Sequence, residues 1–220
     1  MAAALLPSGC RLIDASRGPD QAADAADQAD AACGTAPLVV DDFEDGVTGS
    51  DWLAYNDDGA ALEEADGVLR VAYSGVDPAW AGYATADSHD IRGGSISAEI
   101  AQVGGMTILE FHSGDTKVQT YVSDGILRAT IMLGTETVSA LEIDYLPEVH
   151  VHWRMREESG TVHWETSADG ADWTEIDARP TPLVAEDVTL LVSGGGVAGD
   201  EPAEFESVAI ELANCRAGSL

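Results

Sequence analysis

Three carboxylates, Glu142 and Asp144 with Glu148 four residues further on, are the first groups in this chain to invite a catalytic reading. Retaining glycoside hydrolysis needs two carboxyl groups about 5–5.5 Å apart across the scissile bond, and side chains alternating along a strand supply pairs on one face. Pro147 intervenes, however, and a proline ends a ladder before Glu148 is reached. The three read as solvent-face acids, and no catalytic residue is assigned. His150 and His152, with His163 nearby, invite a zinc site instead. A two-residue turn at Ser159-Gly160 sets His163 opposite Arg156, roughly 13 Å from His152 at strand rise. Arg154 and Arg156 add unfavourable positive charge, so no metal site is assigned either. No Gly-rich phosphate loop, Gly-x-Ser-x-Gly elbow or Cys beside His occurs elsewhere.

Planar and charged hydrogen-bonding groups make a better case for binding. Glu110 and His112 share a strand face with Met106 and Ile108. Lys117, Gln119 and Tyr121 align on the following run, and Arg154, His163 and Glu165 on a later hairpin. If these strands form one concave sheet, they line a groove suited to sugar hydroxyls, with Trp80 or Tyr83 stacking on sugar faces. The alternative is a solvated face carrying an Arg154–Glu165 cross-strand pair worth a few tenths of a kcal/mol. Calcium is the one cofactor the acids suggest, at Asp57-Asp58 or Asp41-Asp42, although no complete ligand spacing is visible.

Charge narrows the partners. Forty acidic residues face ten basic ones, a formal net charge of -30, and Lys117 is the only lysine. Nucleic acid is excluded as a partner because phosphate binding needs Lys and Arg to displace counterions. Anionic membrane surfaces are excluded likewise. The acids are spread along the chain, which fits a solvated soluble surface, adaptation to salty water or calcium binding.

The positioning elements begin after residue 33. Residues 1–33 read as a leader and linker: Leu5, Leu6, Ser8, Gly9 and Cys10 resemble the end of a bacterial lipoprotein signal with Cys10 as the lipidated residue. Pro7 and the missing basic segment depart from that pattern, and an arbitrary Ala-rich start is the alternative. The run from Ala15 to Ala32, rich in Ala and Asp, has no apolar face to bury and reads as a tether. Residues 34–215 form the domain, one large antiparallel sandwich in a chain of 220 residues, and 216–220 a tail. Cys33 and Cys215 flank the first and last strand-like runs. If those strands are neighbours the two cysteines reach disulfide distance; otherwise they are two unpaired thiols.

Within the domain, Leu38-Val-Val40 and Phe43 open the pattern, and Leu69, Val71 and Tyr73 share one face of the next run. Alternating runs follow at 94–103, 106–113, 116–123, 126–133, 136–145, 149–157, 161–167, 186–193 and 204–213. Asp-Gly and Ser-Gly turns separate them, and no helix of more than a turn or two is expected. Gly194-Gly195-Gly196 reads as a flexible turn. The hairpin from His150 to Ser167 is the best-defined piece. A turn at Ser159-Gly160 pairs Arg156 with His163, Met155 with Trp164 and Arg154 with Glu165. It also puts Val151, Trp153, Met155, Val162 and Trp164 on one face.

The stretch Val151-His-Trp-Arg-Met-Arg to Thr161-Val-His-Trp-Glu-Thr-Ser-Ala-Asp-Gly-Ala-Asp-Trp173 resembles the late strands of concanavalin A-like lectin/glucanase sandwiches, where a W-x-R-x-R strand turns into a G-x-V-x-W/F-x-x-S-x-D-G-x-x-W hairpin. Val40-Asp-Asp-Phe-Glu-Asp-Gly46 with Trp52 is similar to their first strand, and Phe205-Glu-Ser-Val-Ala-Ile-Glu-Leu212 to their last. The resemblance spans roughly residues 38–213 and implies an all-β jelly roll. In many glucanases of that superfamily the catalytic acids follow Glu-x-Asp-x-x-Glu, and the run from Glu142 to Glu148 is one residue too long. Ser167 to Trp173 also resembles the Asp-box turn of sialidases, read here as a fold element. The resemblance speaks to the fold and says little about a ligand. The leader and the polar sheet face lead to the expectation of an exported, monomeric, non-catalytic binding module for carbohydrate or a cell-surface polymer, held to the envelope by a lipid anchor or secreted. The alternatives are an adhesion or structural lipoprotein and a divergent glycoside hydrolase.

Overall fold

Short alternating runs leave the backbone one way to satisfy its polar groups, which is strand pairing. The computed structural model describes residues 34–214, and the three cysteines, the tether and the tail lie outside them. Every regular element among the described residues is a strand. In chain order these are β1 (Gly34–Asp41), β2 (Trp52–Asn56), β3 (Ala60–Ala65), β4 (Val68–Tyr73), β5 (Ala79–Thr85), β6 (Ser95–Gln102), β7 (Met106–Ser113), β8 (Thr116–Ser123), β9 (Ile126–Leu133), β10 (Glu136–Asp144), β11 (His152–Glu158), β12 (Thr161–Ser167), β13 (Thr174–Pro180), β14 (Thr189–Gly196) and β15 (Ala203–Asn214).

They make two sheets. An eight-stranded sheet runs β13-β12-β11-β6-β15-β4-β3, with β1 beside β15, and a seven-stranded sheet runs β10-β9-β8-β7-β14-β5-β2. The expected jelly-roll sandwich is therefore present, with the first strand lying beside the last. Between the sheets lie the inward residues of both, including Trp153, Trp164, Phe111, Phe205, Leu109 and Leu127, all fully buried. The Trp164 indole N–H donates across the sandwich to the Gln119 carbonyl at 3.0 Å, so one core side chain ties the two sheets together.

The hairpin β11–β12 has the register read from the sequence, with Arg154 opposite Glu165, Met155 opposite Trp164 and Arg156 opposite His163. Its turn residues Ser159 and Gly160 have φ of 52° and 80°, the positive pair that a two-residue turn matched to strand twist requires. The following turn is held by Asp169, whose carboxylate accepts the amides of Asp172 and Ala171, each at 2.9 Å. Those two amides and the Ser167 hydroxyl hold the Asp169 carboxyl down to about 2.

Two expectations change. Gly194-Gly195-Gly196 is not a flexible turn but the end of β14, buried or half-buried and paired to β5 and β7. The glycines are there for space. A β-carbon at Gly194 would strike the Tyr73 hydroxyl, one at Gly196 the Tyr73 ring, and one at Gly195 would overlap the outward Trp80 indole. Strands β2, β3, β5 and β13 were absent from the alternating runs. Ala-rich β3 and β5, and β13 with few apolar residues, carry little periodic signal.

Two buried polar side chains close the loops around this frame. Glu157, 1 % exposed, accepts the amides of Gly93 at 2.9 Å and Gly160 at 2.6 Å. His150 accepts the Leu146 amide on Nδ1 at 3.1 Å, and burial pushes its imidazole below the ordinary histidine value.

Candidate functional site

The outward side chains of the seven-stranded sheet line a hollow of about 580 Å³. Its architecture follows from the ladder, because residues in register form rows across the strands. One row runs Tyr55, Gly82, Ser193, Ile108, Tyr121, Arg128 and Glu142. A second runs Leu191, Glu110, Gln119 and Thr130, and a third His112, Lys117 and Met132, with Thr137 beyond. At the opposite end Trp80, Gly195 and Met106 form a fourth.

The floor is polar and nearly closed to solvent. Glu110 is 5 % and Gln119 8 % exposed. The Gln119 amide donates to the Glu110 carboxylate at 2.5 Å, and the Thr130 hydroxyl donates to Gln119 at 3.4 Å. His112 Nδ1 stands 3.5 Å from the other Glu110 oxygen, and its Nε2–H donates to the Gly114 carbonyl at 2.9 Å. These planar groups hold one another in place before any ligand arrives, which is the arrangement that loses least entropy on binding.

The walls are aromatic and aliphatic. The Trp80 indole lies over Gly195, where no side chain competes for the space. Its backbone amide is held by the Asp57 carboxylate at 3.2 Å. Tyr55 stands on the neighbouring strand β2, and burial pushes its phenol above the ordinary tyrosine value, with the Ser193 hydroxyl acting the other way. Tyr121 carries the Arg128 guanidinium over its ring at 5.6 Å, and Arg128 is anchored to Glu142 at 2.9 Å. Half-exposed rings above a floor of fixed hydrogen-bonding groups suit a ligand that has both apolar faces and hydroxyl edges.

Of the candidate binding residues, Glu110, His112, Gln119, Tyr121 and Trp80 meet in this groove. The others do not join it. Tyr83 has the opposite parity on β5, so its ring points between the sheets, 2 % exposed. It stacks on Trp52 at 5.9 Å, and its hydroxyl meets Thr48 at 2.8 Å as well as Glu64. Burial pushes that phenol up to about 12.

Arg154, His163 and Glu165 lie on the outer face of the other sheet, because β11 pairs with β6 rather than with a groove strand. There they form a closed ionic network. Arg154 meets Glu165 at 2.6 Å and lies 4.1 Å over the Trp173 ring, while His163 meets Glu175 at 2.6 Å. Trp173 thus packs on the outer face of β11, next to His152.

Tyr55 and Ser193 line the groove without having been singled out in the sequence. The signal available for Tyr55 was its alternation with the buried Trp52 on a strand too short to be recognised. Glu142 and Asp144 sit on the edge strand β10, with Glu142 engaged by Arg128 and Glu148 beyond the strand's end. His150, His152 and His163 occupy three separate surroundings: the Leu146 loop, the Trp173 edge and Glu175. Among the described residues no group of three or more His, Cys, Asp or Glu side chains is gathered for a metal ion. Asp41 accepts the Trp52 indole N–H and the Phe43 amide, and Asp42 the Glu44 amide.

No family model matches this chain, and no curated protein is similar to it in sequence. Solved structures match it by fold. A prokaryotic β-1,3-1,4-glucanase (lichenase) derived from a mouse hindgut metagenome superposes with a TM-score of 0.52 at 12 % identity, over 78 % of this chain and 97 % of the glucanase. The CBM2 module of the evolved Dit of Lactobacillus casei phage J-1 gives 0.56 at 9 % identity, over 83 % and 97 %. The exoplasmic/lumenal domain of VIP36, in its Ca2+/Man2-bound form, gives 0.53 at 10 % identity, over 74 % and 83 %. The chain has the lectin/glucanase jelly-roll fold, and at such identities the likeness extends to the fold alone.

Proposed function

We propose that the domain is a non-catalytic carbohydrate-binding module of the cell exterior, and that the groove on the seven-stranded sheet is its glycan site. The observation that carries this is a single groove with the Trp80 indole laid over Gly195 at one end and the hydrogen-bonded Glu110–Gln119–Thr130 floor further along it. Sugars offer an apolar ring face for stacking and hydroxyl edges for planar acceptors and donors, and this groove offers the complement of both. Fold neighbours whose names refer to a glucanase, a carbohydrate-binding module and a mannose-bound lumenal domain are consistent with it.

The distribution of acids supports binding without hydrolysis. Glu110 and Asp57 are the carboxylates lining the groove. The Asp57 carboxylate is turned to the Trp80 amide on β5 and the Glu110 carboxylate to Gln119 on β8. Those strands are three places apart in the sheet, roughly 14 Å at sheet spacing and beyond either glycosidase geometry. Along β7 the outward neighbours of Glu110 are Ile108 and His112, so no second carboxylate shares its strand face. A glycan array of the full chain, with and without calcium, tests the proposal. It predicts binding that Trp80→Ala removes, and an array with no signal under either condition refutes it. Turnover of a β-glucan that disappears in Glu110→Gln would refute the non-catalytic part.

A further inference from the structure

Basic side chains are scarce in this protein, and their commitments can be followed one by one. Each of the six arginines among the described residues has a carboxylate within salt-bridge distance: Arg70, Arg92, Arg128, Arg154, Arg156 and Arg179. Lys117, the only lysine of the chain, has none among the described residues, although the chain carries forty acids. Lys117 lines the groove wall, in register between His112 and Met132. The nearby Glu110 carboxylate is already engaged by Gln119. Among the described residues, the one lysine or arginine without a carboxylate partner thus lines the hollow, at the end opposite Trp80.

We propose that the groove takes an acidic saccharide, a chain bearing carboxylate or sulfate groups, and that Lys117 pairs with one of those groups. This rests on the groove being a glycan site. An ammonium brings three donors and no acceptor, and its strongest partners are anionic oxygens, whose charge-assisted bonds are about twice as strong as neutral ones. The Trp80 and Lys117 rows lie six residues apart along β7, about 20 Å at strand rise, long enough for an oligosaccharide lying along the groove. Stacking at one end and ion pairing at the other give the chain a fixed direction. Neutral glycans would use the aromatic end and leave Lys117 solvated.

The test is titration calorimetry of the full chain with matched pairs of oligosaccharides. Oligogalacturonate and oligomannuronate are each compared with their carboxyl-reduced forms, and a sulfated galactan oligomer with its desulfated form. The wild-type protein should bind at least one acidic chain about tenfold more tightly than its neutral counterpart, the size of one charge-assisted contact. Lys117→Met should bring the acidic chain down to the level of the neutral one, and Lys117→Arg should keep the preference. Carboxylate and sulfate arms distinguish the two sources of charge. Because Lys117 is the only lysine, acetylation read by peptide mass spectrometry gives a second measure, with the acidic chain protecting it and the neutral chain leaving it reactive. Equal affinities in the wild type, or a preference that survives Lys117→Met, would overturn the proposal. If neutral chains then still bind through Trp80, the glycan site stands and only its charge selectivity falls. If no chain of either kind binds, both fall.

Discussion

At the scale of the residue, Trp80 and Gly195 behave as one unit. The ring needs the empty α-carbon beneath it, so Gly195→Ala should disturb the groove nearly as much as removing the indole. An aromatic anchor in a binding groove is commonly worth more than 1 kcal/mol, so Trp80→Ala is expected to weaken glycan affinity about tenfold. Calorimetry on the pair of variants checks this, and a Gly195→Ala protein with wild-type affinity would separate the two residues. His150 gives a prediction of a different kind. The folded protein disfavours its protonated form, because burial lowers its affinity for the proton and Nδ1 is occupied as an acceptor. The unfolded chain therefore takes up the proton first. The contribution of His150 is fully present above about pH 6.5, the ordinary histidine value, and declines as the pH falls through the lower folded value. Urea unfolding across that interval should show a slope that His150→Asn, a neutral acceptor, removes.

At the scale of the element, Glu157 joins the turn after β11 to the loop before β6 through two amides. Glu157→Ala removes two hydrogen bonds whose donors sit on the exposed residues Gly93 and Gly160, where water can replace the carboxylate. It should cost about 1–3 kcal/mol at about 0.5–1.5 for each, measurable as a shifted unfolding midpoint. Arg154→Met removes an ion pair and a ring contact on the face away from the groove, so it should lower stability by about 1 kcal/mol and leave glycan affinity intact. These elements also show what was legible in the sequence. The β11–β12 register could be read because its two faces differ chemically and Ser159-Gly160 admits one turn. The common face of Glu110, His112, Gln119 and Tyr121 could be read because β7 and β8 form a tight hairpin. Which sheet β11 joins could not, since that depends on its pairing with β6, more than fifty residues earlier in the chain. Tyr83 was misplaced because parity along β5 is concealed by a run of Ala and Gly, in which no apolar-polar alternation marks the inward face.

At the scale of the whole molecule, charge dominates. A net charge of -30 acts over the Debye length, about 10 Å at 0.1 M salt and 3 Å at 1 M. Raising salt across that range should raise the thermal midpoint, because self-repulsion of the folded state is screened. An unchanged midpoint would show that the ion pairs on the outer face and in the groove already balance the field locally. The same field makes the groove's uncommitted lysine unusual. An acidic saccharide approaches against long-range repulsion and is rewarded only on contact, so its association rate should increase with salt, opposite to the usual behaviour of oppositely charged partners.

The central claim is that a glycan occupies the outer face of the seven-stranded sheet. The most direct measurement is an amide chemical-shift map of the isotopically labelled full chain, titrated with the oligosaccharide that the array selects. Saturating shifts should concentrate on β7, β8 and β14 around Glu110, Gln119, Lys117 and Ser193, with the Trp80 indole N–H moving as well. Shifts confined to β11, β12 and β13, around the Arg154–Trp173 network, would contradict it.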